Sequence, residues 1–123
     1  MKTDNAIADK SKAFALRIIK LYKYLSEEKR EYVLSKQLLR SGTSIGANVR
    51  EALRAQSRSD FISKLEISLK EASETAYWIE LLHESGYMDE AGFKSVYTDC
   101  IENIKLLTSI IITSKKNTEQ SII

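Results

Sequence analysis

The chain contains no proline in 123 residues, and glycine stands only at positions 42, 46, 86 and 92. Proline removes a backbone donor and clashes with the preceding turn, so helix interiors exclude it. Sheet proteins need frequent turns, and turns recruit proline and glycine. A chain this poor in both suits long helices with few connections. Its 123 residues are enough to bury one real core and too few for two ordinary domains.

Apolar spacing divides the chain into four helical segments, over residues 6–25, 32–56, 60–84 and 89–114. Phe14, Ile18, Leu21 and Leu25 recur at three and four residues in the first, the period of one helix face. Leu38, Ile45, Val49 and Ala52 do the same in the second, which the charged stretch Ser26 to Arg30 separates from the first. Ser59 is the candidate N-cap of the third segment, whose stripe runs from Phe61 through Leu65, Leu69, Ala72 and Ala76 to Ile79. Gly86 ends it as a residue suited to the left-handed position after a helix. Phe93, Val96, Cys100, Ile104, Leu107 and Ile111 mark the fourth, and the polar tail from Lys115 is expected to fray. Short connections make neighbouring helices antiparallel, so the expected fold is all-α, a single up-down-up-down four-helix bundle spanning residues 1–123.

Nineteen Lys+Arg against 17 Asp+Glu leave a formal charge of +2, which demands no nucleic-acid partner by itself. One cysteine excludes an internal disulfide framework and suits a reducing compartment. Asp4, Asp9, Lys10 and Lys12 stand where a signal peptide would be apolar, and no run is long enough to span a membrane. The chain reads as soluble and cytoplasmic.

More apolar surface is present than one core face needs. Ile67, Trp78, Leu81 and Leu82 flank the stripe of the third segment, and Ile101, Leu106, Ile110 and Ile112 flank that of the fourth. Two readings stand: a wide core face with scattered surface side chains, or a contact between subunits, which is preferred. Gly42 and Gly46 each cost a helix interior about 1 kcal/mol relative to alanine. With Ser41, Thr43 and Ser44 they mark either a kink or, as preferred, the close approach of a neighbouring helix. They are assigned to the oligomer interface together with Ile67, Trp78, Leu81 and Leu82.

If the second segment is one continuous helix, Lys36, Arg40, Arg50, Arg54 and Arg58 share an arc of about 80°. Such a stripe can track a phosphate backbone, or it can be a solvated face with local ion pairs. Lys10, Arg17, Lys20 and Lys23 form a looser basic side on the first segment, Lys20 and Lys23 being weaker candidates for phosphate contact. No aromatic residues interleave with the arginines, so base stacking is not indicated.

Catalytic and metal readings find little support. Glu80 and His83 have the Glu-x-x-His spacing of di-metal bundles, but a second histidine is lacking. Cys100 falls within an apolar stripe, as a buried inert thiol would. The Gly42–Gly46 segment lacks the lysine and the strand of a phosphate-binding loop. No catalytic residue, metal or cofactor is expected.

The segments Arg40-Ser-Gly-Thr-Ser-Ile-Gly-Ala-Asn-Val-Arg-Glu-Ala52, Ser59-Asp-Phe-Ile-Ser-Lys64 and Lys70-Glu-Ala-Ser-Glu-Thr-Ala-Tyr-Trp78 resemble the "four helix bundle protein" family. Its members are also called 23S rRNA intervening-sequence proteins, and are sometimes labelled ribosomal protein S23. The resemblance covers about Phe14 to Ile112. It implies a bacterial four-helix bundle that assembles into a ring-like homopentamer. The family is also similar to the accessory variability determinant of diversity-generating retroelements, a basic pentamer that binds nucleic acid and a reverse transcriptase. The resemblance brings no catalytic residues with it. The resulting expectation is a non-enzymatic homo-oligomer that binds RNA or DNA backbone, with rRNA and a partner protein such as a reverse transcriptase as candidate partners. The alternative is a protein-interaction scaffold that binds no nucleic acid.

Overall fold

The structure, a computed structural model, describes residues 2–122, with side chains described for residues 5–118. Four helices follow one another: α1 (Lys2–Glu27), α2 (Leu34–Leu53), α3 (Arg58–Glu84) and α4 (Glu90–Ile122). Cross-helix pairs set their directions. Gly42 and Gly46 of α2 face Ile18 and Ser11 of α1. Arg40 and Glu51 of α2 pair with Glu74 and Lys64 of α3. His83 and Glu66 of α3 pair with Glu90 and Lys115 of α4. In each case rising positions on one helix meet falling positions on the next, so the bundle is antiparallel, up-down-up-down, as the short connections implied.

Phe14, Ile18, Leu38, Ile45, Ile79 and Leu107 are fully buried at its centre. The seam between α2 and α3 carries the buried hydroxyl side chains Ser41, Ser68 and Thr75. Thr75 Oγ1 donates to Ser41 Oγ at 2.8 Å, and Ser68 Oγ donates to the Ile45 carbonyl at 2.8 Å. Small hydroxyl side chains let the two backbones approach while leaving no donor stranded. The seam that closes the bundle, α1 against α4, is held by charge. Lys10 reaches Glu102 at 2.7 Å, and Arg17 reaches Asp99 at 3.6 Å as well as the Ser95 hydroxyl.

The boundaries differ from the sequence reading in four places. α1 spans Lys2–Glu27, longer at both ends than the expected 6–25. α2 spans Leu34–Leu53, shorter at both ends than the expected 32–56. The N-cap of α3 is Ser57, whose hydroxyl accepts from Asp60 N at 3.0 Å, and Ser59 is the second residue of the helix. Both serines precede the apolar run, and spacing alone does not choose between them. The polar tail continues α4 to Ile122 rather than fraying. It contains no glycine or proline to stop a helix, and the Lys115–Glu66 pair at 3.1 Å ties it to α3.

The start of α2 carries a cap that spacing did not reveal. The buried carboxylate of Glu31 accepts from the backbone N–H groups of Val33, Leu34 and Ser35 at 3.1, 3.0 and 2.6 Å. These are donors left over at a helix N-terminus. Burial alone would raise the Glu31 pKa, but the three backbone donors outweigh it and hold the carboxyl below its ordinary range.

Candidate nucleic-acid interface

The five cations assigned to one stripe fall into three environments. Arg40 is already engaged: its guanidinium bridges Glu74 at 2.6 Å and Glu71 at 3.1 Å on α3. The hydrogen bond to Glu74, partly offset by burial and joined by the charge of Glu71, pushes its pKa further up. Arg40 therefore ties α2 to α3 and stands apart from the unpaired cations, with about half of its side chain (49%) exposed. Arg54 is the C-cap of α2, and Arg58 is the first residue of α3. The continuous helix needed to align all five ends at Leu53. Lys36, Arg50, Arg54 and Arg58 are exposed and form no ion pair with a described carboxylate.

Arg50 has a companion that sequence reasoning missed. Together with Lys12 of α1 it rims a groove of about 400 Å³ between the two helices, floored by Ala8, Ala15, Gly46 and Ala47. The signal that could have found Lys12 is indirect. If Gly42 and Gly46 mark where a helix comes close, then Ser11 and Ile18, seven residues apart, are the side of α1 that meets them, and Lys12 flanks that side.

The interface residues divide as well. A Cβ on Gly42 would stand 2.9 Å from Ile18, and one on Gly46 3.3 Å from the Ser11 hydroxyl. The close approach expected at these glycines is real, but the neighbour is α1 of the same chain, so both leave the inter-subunit set. Leu82 is fully buried in the core and leaves it too. Ile67 is 40% exposed, while Trp78 and Leu81 are half-buried. Tyr77, not singled out from the sequence, is 55% exposed, with its ring 5.3 Å from that of Trp78. The Trp78 indole N–H is buried and has no partner among the described residues. On α4, Ile110 is buried, Ile101 and Leu106 are half-buried, and Ile112 is exposed.

The groups weighed for chemistry have structural tasks. His83 stacks on Phe93 and meets Glu90 at 2.9 Å, while Glu80 accepts from the Tyr97 hydroxyl at 3.0 Å. Cys100 is buried against the Ala72 carbonyl, and burial, with a smaller effect from Asp99, pushes its thiol up to about 12. Such a thiol is not a nucleophile. Among the described residues no three His, Cys, Asp or Glu side chains cluster as metal ligands would, and no helix is long and apolar enough to cross a membrane.

A solved structure of a protein with unknown function from the S23 ribosomal protein family of Bacteroides thetaiotaomicron VPI-5482 is similar to this chain. It is 58% identical, covers 89% of this chain and 97% of its own, and superposes with a TM-score of 0.88. No curated protein matches. The family model of the 23S rRNA-intervening sequence protein matches residues 3–109. The chain therefore belongs to the 23S rRNA-intervening sequence protein family.

Proposed function

We propose that this protein is a non-enzymatic, self-associating helical bundle that binds nucleic acid through its phosphate backbone and serves as an accessory module. The observation that carries the reading is the set of exposed cations Lys36, Arg50, Arg54 and Arg58, which no described carboxylate pairs. Nearby acids are committed elsewhere: Glu71 and Glu74 to Arg40, Glu51 to Lys64. A modest net charge thus coexists with a local surplus of positive charge, which is what phosphate binding requires. The family's description ties its members to 23S rRNA, which makes rRNA the first ligand to try. Self-association rests on the outer ridge of α3, where Ile67, Tyr77, Trp78 and Leu81 offer apolar surface. A ring of five copies is the assembly that the family resemblance suggests.

The same ridge supports a second reading, a scaffold that recruits a partner protein such as a reverse transcriptase and binds no nucleic acid. Fluorescence anisotropy with labelled rRNA fragments separates the two. The triple variant R50A/R54A/R58A, with an unchanged circular dichroism spectrum, is expected to lose at least about tenfold in affinity. Absence of binding by the unaltered protein at low salt selects the scaffold.

A further inference from the structure

The fold breaks up the cation stripe on α2 and builds another array in its place. Lys12 and Arg50 stand on opposite rims of the α1–α2 groove. Lys36 lies about two turns before Thr43, which lines the groove on α2, and Lys23 lies about three turns after Lys12 on α1, so each continues its rim. The antiparallel register set by the Gly42–Ile18 and Gly46–Ser11 approaches brings Lys23 opposite Lys36 at one end and Lys12 opposite Arg50 at the other. All four are exposed and in no ion pair with a described carboxylate. Glu51, the acid beside Arg50, turns to Lys64 on α3. The rims are therefore positive at both ends.

Resting on the nucleic-acid reading above, we propose that the α1–α2 groove holds one nucleic-acid strand by its phosphates, clamped between Lys12 with Arg50 and Lys23 with Lys36. From Lys36 to Arg50 the α2 axis advances about 21 Å. A stacked strand carries a phosphate about every 3.4 Å, so the two pairs of cations stand about six phosphates apart. The axes of packed helices lie about 8–10 Å apart, so cation rows on the two helices are closer together than the width of a duplex and can flank one sugar-phosphate chain. At the Lys12–Arg50 end, Ala8, Ala15, Gly46 and Ala47 allow close approach beside Val49 and Leu53, and no aromatic side chain lines that end to stack bases. Binding is then tolerant of sequence and graded by length.

The test is anisotropy with labelled oligothymidylates of about 4 to 12 nucleotides, alongside a hairpin duplex. Affinity is expected to climb with length to about six phosphates and then flatten, and to exceed that for the duplex. The surface variant K23A/K36A is expected to weaken binding at least about fivefold and to lower the slope of log K against log salt by about 1.4. Loss of binding in R50A/R54A/R58A with K23A/K36A unaffected would place the strand elsewhere, overturning the groove while leaving the nucleic-acid reading intact. No binding of any oligonucleotide by the unaltered protein would defeat that reading and the groove with it. Equal competition by polyglutamate would mark the groove as an acidic-peptide site, and dissociation of the oligomer by K23A/K36A with undiminished nucleic-acid affinity would mark it as a contact between copies. Either result overturns the proposal.

Discussion

At the scale of single residues, the two helical glycines separate by what their missing Cβ atoms would meet. A Cβ on Gly42 would come within 2.9 Å of both Ile18 γ-carbons, and Ile18 is fully buried. A β-branched core side chain has little freedom to yield. Gly42→Ala is therefore expected to destabilise by about 1–3 kcal/mol, in spite of the gain in helix propensity. At Gly46 the tightest neighbour is the Ser11 hydroxyl at 3.3 Å, which can rotate. Gly46→Ala is expected to lie within about 1 kcal/mol of the native stability, the propensity gain offsetting the contact. Denaturant titrations of the two variants check the contrast, and equal effects would contradict it. The sequence disclosed that these glycines mark a close approach. It could not say whether the approaching helix belonged to the same chain, because spacing on α2 carries no information about which surface of α1 it meets. Leu82 illustrates the same limit, since a flank position on a helical wheel becomes core as soon as a neighbouring helix covers that side.

At the scale of helices, number and order were legible from apolar spacing, since each buried stripe repeats at the helical period, and direction was legible from the short connections. Ends were less so, because caps depend on side chains outside the stripe. Glu31 shows how. It precedes α2 and serves three backbone donors at once, an arrangement without the Ser/Thr/Asp/Asn signature of an N-cap. Its depressed folded pKa fixes the sign of a pH effect. The stabilisation is complete above the ordinary carboxylate pKa and fades as pH falls through the folded value. Glu31→Gln is expected to cost about 1 kcal/mol at neutral pH and to reduce the loss of stability on acidification. Thermal melts across the acid range check this, and an unaltered pH profile would contradict it. The end of α2 at Leu53 matters most for the proposed phosphate contact, because it divides the cation stripe that an unbroken helix would have carried. The site was half legible for that reason. Of the candidate cations named from charge spacing, Lys36, Arg50, Arg54 and Arg58 are exposed without a described carboxylate partner, Arg40 is occupied by α3 carboxylates, and Lys12 emerged only once α1 and α2 were placed side by side.

At the scale of the whole molecule, two surfaces carry the proposed function. One is the ridge of α3 with Ile67, Tyr77, Trp78 and Leu81. Trp78→Ala is expected to weaken self-association by about 2 kcal/mol, the cost of truncating an aromatic anchor at a subunit contact. Sedimentation velocity at micromolar concentration reads this, and a monomer before any substitution would contradict it. The other surface is the positively rimmed groove between α1 and α2, about 400 Å³ at its Lys12–Arg50 end. Whether those cations meet phosphates decides between a nucleic-acid-binding module and a scaffold. The most direct measurement is the affinity of the unaltered protein for a single-stranded oligonucleotide as salt is raised. Four groove cations, joined by Arg54 and Arg58 at the adjoining turn, predict a slope of log K against log salt of about −3 to −4 per engaged subunit. A slope near zero, or no binding at about 50 mM salt, would contradict it.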